Sequence, residues 1–168
     1  MINRRILLSS VAMFGGLMAF RWLRASDANA AAEQKFEIEK TADDWRKQLT
    51  PAAYNVLREH GTERPFTSPL DKEKRKGVFA CAGCDLPLFS SDTKFDSGTG
   101  WPSFYQTLPN AVGTTVDRSF MMVRTEVHCR RCGGHLGHVF EDGPKPTGLR
   151  YCMNGVSLAF KPGEPSPS

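Results

Sequence analysis

The chain has 168 residues, of which 40% are apolar and 10% aromatic, and this composition suits one globular domain with an extension. Its formal net charge of +4 comes largely from residues 1–30, which carry four arginines and one aspartate. The remainder is nearly neutral and so lacks the basic surface that would indicate a nucleic-acid partner.

Residues 1–30 are typical of an export signal. Arg4 and Arg5 precede an apolar stretch that is shorter than the ~20 residues of a membrane-spanning helix. The run over residues 3–8 resembles a twin-arginine signal, and the small residues up to Ala30 predict cleavage after it. The lesser alternative is an uncleaved N-terminal anchor. Either way we expect the protein body outside the cytoplasm, in a bacterial periplasm, with no stable membrane insertion after cleavage.

Two short helices are predicted at about residues 42–48 and 51–60, because apolar residues there recur with mostly helical spacing. Thr50 before Pro51 is typical of a helix start, with threonine as the N-cap and proline at the first helical position. Gly61 is expected to end the second helix at its C-cap side. We expect both helices to cover one side of a sheet.

The predicted domain organisation follows from these segments. A polar linker over residues 31–40 connects the export signal to the main domain, which we place at residues 41–161. Residues 162–168 are expected to form a flexible tail. From Gly77 onwards the chain becomes rich in β-forming residues punctuated by glycine, which predicts a mainly β domain with a minor helical part.

Four of the five cysteines form two Cys-x-x-Cys pairs, Cys81 with Cys84 and Cys129 with Cys132. Each pair has a glycine in or beside the turn, where the backbone must bend tightly to aim both sulfurs at one point. Four thiolates complete the tetrahedral coordination of a structural zinc ion. The pairs are separated by 44 intervening residues, so a small segment is inserted between them. The alternative is one disulfide within each pair, which is chemically possible outside the cytoplasm.

The inserted segment contains a glycine-rich loop over residues 96–104 that holds Trp101. An isolated tryptophan would be expected in the core, but the flanking glycines favour a displayed ring. A loop is predicted over residues 108–115. The alternation of apolar and polar residues over 116–127 then predicts a β-hairpin arm. Its apolar face would hold Met121, Val123 and Val127.

Cys152 is the one cysteine outside the two pairs. The permanent charge of neighbouring Arg150 favours its thiolate, which is the nucleophilic form. The alternative is a small buried apolar residue in a strand. A turn predicted over residues 143–148 would fold the flanking segments into an antiparallel pair and bring His138 near Cys152.

Two histidines, His135 and His138, follow the second cysteine pair closely. Three interpretations remain open for them. They could bind zinc, although four thiolates already serve that purpose. They could be hydrogen-bonded structural histidines, or they could supply and orient protons for Cys152.

Taken together, four motifs in this order resemble the type B methionine sulfoxide reductases, which act on the R epimer at sulfur. They are Cys-x-x-Cys, Gly-x-Gly-Trp-Pro-Ser-Phe, Cys-x-x-Cys-Gly-Gly-His-Leu-Gly-His-Val-Phe and Arg-Tyr-Cys-x-Asn, and the resemblance covers roughly residues 41–161. It implies two small antiparallel sheets with flanking helices and a structural zinc ion opposite the active site.

The resemblance also implies a role for each matching residue. The thiolate of Cys152 would attack the sulfoxide sulfur, giving methionine and a sulfenic acid. The two histidines would position a water molecule and assist protonation of the departing oxygen. The remaining roles are thiolate stabilisation for Arg150, a hydrogen bond in the site for Asn154, orientation of the histidines for Asp142, and an apolar wall against the substrate methyl group for Trp101.

The sequence departs from the family pattern at Thr99, where many members have a resolving cysteine that attacks the sulfenic acid. We therefore expect an external donor, either a thioredoxin-like protein or a small thiol, to reduce Cys152. The expected substrates are oxidised proteins or peptides that carry methionine R-sulfoxide, and the expected oligomeric state is a monomer.

Two other functional classes fit parts of the pattern. A zinc-stabilised binding module without catalysis would not need Cys152, His138 and Trp101 together. A different enzyme on a related zinc scaffold could act on a thiol adduct, and epimer selectivity on a methionine sulfoxide would distinguish it from a reductase.

Overall fold

The computed structural model describes residues 35–163. The predicted export signal over residues 1–30 lies outside this range and stays a prediction, as do the first part of the linker and most of the tail. Within the predicted linker, the backbone N–H of Ile38 donates to the carbonyl of Arg131 at 3.0 Å, so this end of the segment lies against the main domain. Across residues 35–163, the helices are all too short or too polar to span a bilayer.

Two helices begin the domain, α1 at Ala42–Gln48 and α2 at Pro51–Glu59, close to the predicted positions. The hydroxyls of Thr41 and Thr50 cap their N-termini by accepting backbone N–H groups, each at 3.2 Å. His60, in the left-handed conformation, ends α2 one residue before the predicted Gly61. The helices turn an apolar face toward the sheets, and its fully buried members are Trp45, Ala53, Val56 and Leu57.

The described chain contains nine strands: β1 Gly77–Cys81, β2 Pro87–Ser90, β3 Lys94–Phe95, β4 Ser103–Phe104, β5 Val112–Asp117, β6 Arg124–Cys129, β7 His135–Phe140, β8 Arg150–Met153 and β9 Leu158–Pro162. They form a three-stranded sheet in the order β2-β1-β9 and a six-stranded sheet in the order β3-β4-β8-β7-β6-β5. All neighbouring strands are antiparallel. The prediction of a mainly β fold with two antiparallel sheets and short N-terminal helices is confirmed.

Three phenylalanines connect the two sheets. Phe104 of β4 stacks on Phe89 of β2 with ring centroids 4.3 Å apart, and Phe79 of β1 meets Phe104 edge-on at 4.9 Å. All three side chains are fully buried. Burial of one such ring contributes roughly 1.5–3 kcal/mol, so this cluster is a main source of attraction between the sheets.

The hairpin formed by β5 and β6 differs from the prediction. Its first strand begins at Val112, inside the predicted loop, because residues 112–117 pair with all of β6. Met121 lies in the short 3₁₀ turn between the strands and is fully exposed, and Val123 is also exposed, whereas Val127 is buried. The predicted common apolar face is therefore wrong, because only Val127 belongs to the paired region that packs against the core.

The pairing of β7 with β8 places His138 directly opposite Cys152, as the predicted antiparallel pair requires. Gly137 permits this close approach, because a Cβ atom there would lie 2.1 Å from the carbonyl oxygen of Cys152. On the other edge of β7, Val127 pairs with Gly137 but the next residue, His128, pairs with His135. Leu136 is therefore the extra residue of a β-bulge.

Candidate functional site

The side chain of Cys152 is half-buried and opens on a cavity of about 230 Å³. The cavity brings together three residues that sequence analysis singled out, Trp101, His138 and Asn154, with Cys152. Thr62, Arg124, Gly137 and Phe140 complete its lining. The site therefore combines a thiol, an imidazole, an amide and an indole around a space of small-ligand size.

Hydroxyl groups surround the sulfur of Cys152. The Oγ1 atom of Thr99 lies 3.9 Å from the sulfur, and Ser97 joins Thr99 to Ser103 through contacts of 2.8 and 2.7 Å between their hydroxyl oxygens. Burial raises the pKa of Cys152, while Thr99, the charge of Arg150 and Ser103 act in the opposite direction. Arg150 thus acts on Cys152 in the expected direction, and burial opposes it in the ligand-free site.

The carboxylate of Asp142 binds the guanidinium of Arg150. Two hydrogen bonds of 2.8 Å join them, and the guanidinium also lies over the ring of Phe140, 4.5 Å from its centroid. The hydrogen bonds from Arg150 lower the pKa of Asp142. Asp142 therefore orients Arg150. Its predicted contact with the histidines is wrong, because Asp142 lies beyond the end of β7 and binds Arg150 of β8 instead.

The β-bulge at Leu136 brings both histidines to one side of the sheet. Residues three apart on a regular strand face opposite sides. Here the rings of His135 and His138 meet edge-on with centroids 5.5 Å apart. His138 lines the cavity of Cys152, whereas His135 is buried and lines the adjoining cavity. Only His138 is therefore in position to act directly on Cys152.

Each histidine has a carboxylate partner that the sequence analysis missed. His138 Nε2 lies 2.8 Å from Asp117 Oδ2, and His135 Nδ1 lies 2.7 Å from Glu126 Oε1. Hydrogen bonds lower the pKa of both acids, so both are ionised. The largest contribution comes from Ser119 for Asp117 and from His135 for Glu126. Both lie on the hairpin strands, and only the register of β5, β6 and β7 reveals their position.

The protonation state of His138 follows from these contacts. Burial lowers its pKa, and the hydrogen bond to Asp117 only partly offsets that effect. A neutral imidazole has one N–H group and one acceptor nitrogen. Because Nε2 donates to Asp117, the open acceptor of His138 is Nδ1.

Glu63 connects the N-terminal segment to three parts of the site. Its backbone N–H donates to Asn154 Oδ1 at 3.0 Å, and its carbonyl accepts the indole N–H of Trp101 at 3.2 Å. Its carboxylate accepts the backbone N–H groups of Gly155 and Val156. Burial raises the pKa of Glu63 despite these bonds. The sequence analysis did not single out Glu63.

Asn154 has a positional role as well as a place in the cavity wall. It is 4% exposed, and its Nδ2 donates to the carbonyl of Leu136 at 3.0 Å. Together with the bond from Glu63, this engages both ends of the amide. Asn154 therefore holds the residue after β8 against the bulge in β7.

The four paired cysteines converge on one point. Their sulfur atoms all lie within 4.8 Å of one another, with 3.8 Å between Cys81 and Cys132 and 3.4 Å between Cys84 and Cys129. Tetrahedral zinc with Zn–S bonds of ~2.3 Å requires sulfur–sulfur distances of about 3.8 Å. Both of these contacts join different pairs, and all four cysteines are free, so the geometry fits a metal site better than the two alternative disulfides.

Comparison with known proteins agrees with this geometry. The SelR domain family matches residues 49–162. A peptide methionine sulfoxide reductase MsrB of Agrobacterium fabrum is 59% identical over 127 residues, which cover 75% of this chain and 94% of that protein. Proteins of the same name from Methanosarcina barkeri and Leptospira interrogans are 60% and 55% identical over 74% and 75% of this chain, and 88% and 97% of their own lengths. The relatives therefore correspond to the described domain almost throughout.

Replacement of Asp117 by asparagine tests the tuning of His138. The carboxylate raises the pKa of His138 against the effect of burial. Asp117→Asn should therefore lower that pKa further, which NMR titration of the His138 ring would measure. Asp142→Asn is the matched control, because Asp142 binds Arg150, and it should leave the titration in place. Equal titration curves for His138 in the wild type and Asp117→Asn would contradict the assignment.

Proposed function

The chain belongs to the SelR family of type B methionine sulfoxide reductases, and we propose that it reduces the R epimer of methionine sulfoxide in proteins and peptides to methionine. One observation carries this proposal. Cys152 and His138 face each other across paired strands, and both line one cavity with the indole of Trp101. A nucleophile, a proton carrier and an apolar wall are the groups that reduction of a sulfoxide requires.

In the proposed reaction the sulfur of Cys152 forms a bond to the sulfoxide sulfur while the sulfoxide oxygen takes up a proton. This S–S bond and the substrate S–O bond then break as an S–O bond forms on Cys152. The thiol proton ends on the transferred oxygen, so the products are a methionine thioether and a cysteine sulfenic acid. No other atom or electron is needed for this half of the cycle. The buried thiol is suited to this chemistry, because its proton is still available when the substrate oxygen gains charge.

His138 is the residue that we assign to proton transfer. Its Nδ1 is the open acceptor, so it can take the proton from Cys152 and return it to the oxygen. Asp117 holds the ring from the other side and stabilises the imidazolium that forms briefly. His135 acts less directly. Its Nε2 is buried without a hydrogen-bond partner, and we propose that it holds the water molecule next to the site.

Epimer selectivity follows from the different walls of the cavity. With the methyl group against Trp101 and the sulfur facing Cys152, the oxygen of one epimer points to the polar side that holds His138. The other epimer would exchange the methyl group and the oxygen, and so place the oxygen against the indole without a partner. A buried polar group left unpaired costs ~1–3 kcal/mol, which is about fivefold to 150-fold in rate.

Separated epimers and a cysteine variant test the proposed activity. The wild type should reduce peptidyl methionine R-sulfoxide at least about fivefold faster than the S-sulfoxide, as the cost of an unpaired oxygen implies. Cys152→Ser should abolish turnover of both while keeping the far-ultraviolet circular dichroism of the wild type. Release of methionine would be measured by chromatography. Equal rates for the two epimers, or turnover by Cys152→Ser, would refute the proposal.

We also propose that Cys81, Cys84, Cys129 and Cys132 hold a structural zinc ion. One cysteine pair begins at the end of β1 and the other at the end of β6, so the metal would link the two sheets through its bonds to sulfur. Arg58 strengthens this region, because it donates to the carbonyl of Cys132 at 2.9 Å and lies over the ring of Trp45, 4.9 Å from its centroid. The zinc would thus also support the packing of α1 and α2.

Removal of one sulfur tests the structural zinc. Cys132→Ser should lose zinc and unfold at a markedly lower temperature, because zinc binding contributes ~10–16 kcal/mol to the folding of small zinc peptides. Cys152→Ser is the matched control and should keep one zinc ion per chain. Elemental analysis and thermal unfolding measure both quantities. Full zinc content and stability in Cys132→Ser would argue against a four-cysteine zinc site.

The second half of the cycle requires an external thiol. Apart from Cys152, the only cysteines between residues 35 and 163 are the four of the candidate metal centre. Thr99 occupies the position next to Cys152 from which a resolving cysteine could attack. We propose that a thioredoxin-like protein or a small thiol condenses with the sulfenic acid to give a mixed disulfide and water. A second thiol then attacks this disulfide and frees Cys152.

Thr99→Cys should supply the missing resolving thiol. The hydroxyl of Thr99 is 3.9 Å from the sulfur of Cys152, so a sulfur there reaches bonding distance by a side-chain rotation. After one turnover without reductant, mass mapping should find a disulfide between position 99 and Cys152 in this variant. The wild type and the control Thr99→Ser should instead retain a trappable sulfenic acid. A disulfide from Cys152 to one of the paired cysteines in the wild type would overturn the proposal.

A further inference from the structure

A second cavity, of about 320 Å³, adjoins that of Cys152 and shares His138, Thr62 and Arg124 with it. Its walls include two histidines and a glutamate that the proposed reaction does not use together, His60, Glu126 and His135. His60 ends α2, Glu126 lies on β6, and His135 begins β7. Three separate elements thus bring an N, O, N donor set to one point.

The three side chains already converge on a single oxygen. Glu126 Oε1 lies 2.7 Å from His135 Nδ1 and 3.1 Å from His60 Nδ1, and the two imidazole centroids are 5.3 Å apart. One ligand atom from each residue lies within 4.8 Å of the others. A carboxylate with an imidazole on each side is a compact arrangement that needs only small side-chain shifts to surround a cation.

The donor set suits zinc or a similar transition-metal ion. Zn–N bonds of ~2.0–2.1 Å and Zn–O bonds of ~2.0–2.2 Å at tetrahedral angles place the ligand atoms about 3.3 Å apart. The present distances from Glu126 Oε1 to the two imidazole nitrogens, 2.7 and 3.1 Å, are slightly shorter. Two histidines and one carboxylate leave the fourth position open, and here it faces the cavity. This is the pattern of an exchangeable site, unlike the closed set of four thiolates.

Access and local charge also favour a cation at this point. The side chain of His60 is 66% exposed, so an ion can enter from solvent, whereas His135 is 3% exposed and anchors the inner end. The C-terminus of α2, where the helix dipole is negative, meets the site at His60. Two arginines line the cavity, Arg118 and Arg124, and Arg124 is already paired with Asp117 at 2.6 Å.

We infer that His60, Glu126 and His135 form a second, exchangeable binding site for a divalent transition-metal ion such as Zn²⁺, and that its occupancy inhibits the reductase. Bound metal would replace the hydrogen bond between Glu126 and His135 and fix the His135 ring by a metal–nitrogen bond. The His138 ring packs against His135, so the proton carrier would also be constrained. Free zinc would thereby switch off turnover without touching Cys152.

Metal binding can be measured without any assay of turnover. Purified wild-type protein that retains its tightly bound zinc should take up one further equivalent of Zn²⁺ in equilibrium dialysis, read by elemental analysis. Added Co²⁺ should give a visible absorption band without the charge-transfer band of a thiolate ligand. His60→Gln should weaken this second equivalent by at least about tenfold, since one of three ligands is lost. Glu59→Gln, an exposed neighbour outside the donor set, is the matched control and should bind as the wild type does.

Inhibition is then measured in single turnovers of pre-reduced enzyme without added thiols, which would chelate the metal. The rate with Zn²⁺ is compared with each variant's own metal-free rate. Wild type and Glu59→Gln should lose activity as the second equivalent binds, and His60→Gln should need at least tenfold more Zn²⁺. No second equivalent in the wild type, undiminished binding by His60→Gln, or a charge-transfer band from Cys152 would overturn the inference. If the chain bound the metal but reduced no sulfoxide, the proposed function alone would fail.

Discussion

The pairing of β7 with β8 is the constraint on which the site depends. It sets His138 opposite Cys152, and it requires glycine at position 137, where any side chain would collide with the backbone of Cys152. The bulge at Leu136 on the same strand turns His135 to the side of His138. A regular strand would send one of these histidines into the core, and only one of the two carboxylates of the hairpin would then have an imidazole partner.

Glu63 extends this constraint to the parts of the site that the sheet does not supply. Its backbone holds the indole of Trp101 and the amide of Asn154, and its carboxylate holds the turn after β8. Asn154 in turn reaches the carbonyl of Leu136, within the bulge. One half-buried residue therefore ties the indole of Trp101, the strand with Cys152 and the strand with the histidines into one hydrogen-bonded unit. Burial raises the pKa of its carboxyl group and so favours the neutral form.

The sequence was sufficient for what local patterns determine. Apolar spacing placed α1 and α2, and Thr50 before Pro51 marked the start of α2. The matched cysteine pairs indicated a metal centre, and the turn over residues 143–148 predicted that His138 would meet Cys152. The carboxylate partners of the histidines could not be predicted, because they depend on strand register and on a bulge that adds one residue. Asp142 was misassigned for the same reason. The sequence shows the charge of Arg150 next to Cys152, but it does not show the burial that raises the pKa of this thiol.

The carboxylates that orient the two histidines also explain why two cavities with different chemistry share a wall. Asp117 binds His138 on the side of Cys152 and also pairs with Arg124, so its carboxylate already has a cationic partner. Glu126 contacts the buried His135 on one side and the exposed His60 on the other. Among the described residues, no arginine forms a salt bridge with Glu126. In both places an ionised acid fixes an imidazole ring. The proposed proton carrier lies where the second partner of the acid is a guanidinium, and the proposed metal site lies where the second partner is another imidazole. The difference lies in one residue, His60, which belongs to α2 and not to the sheet.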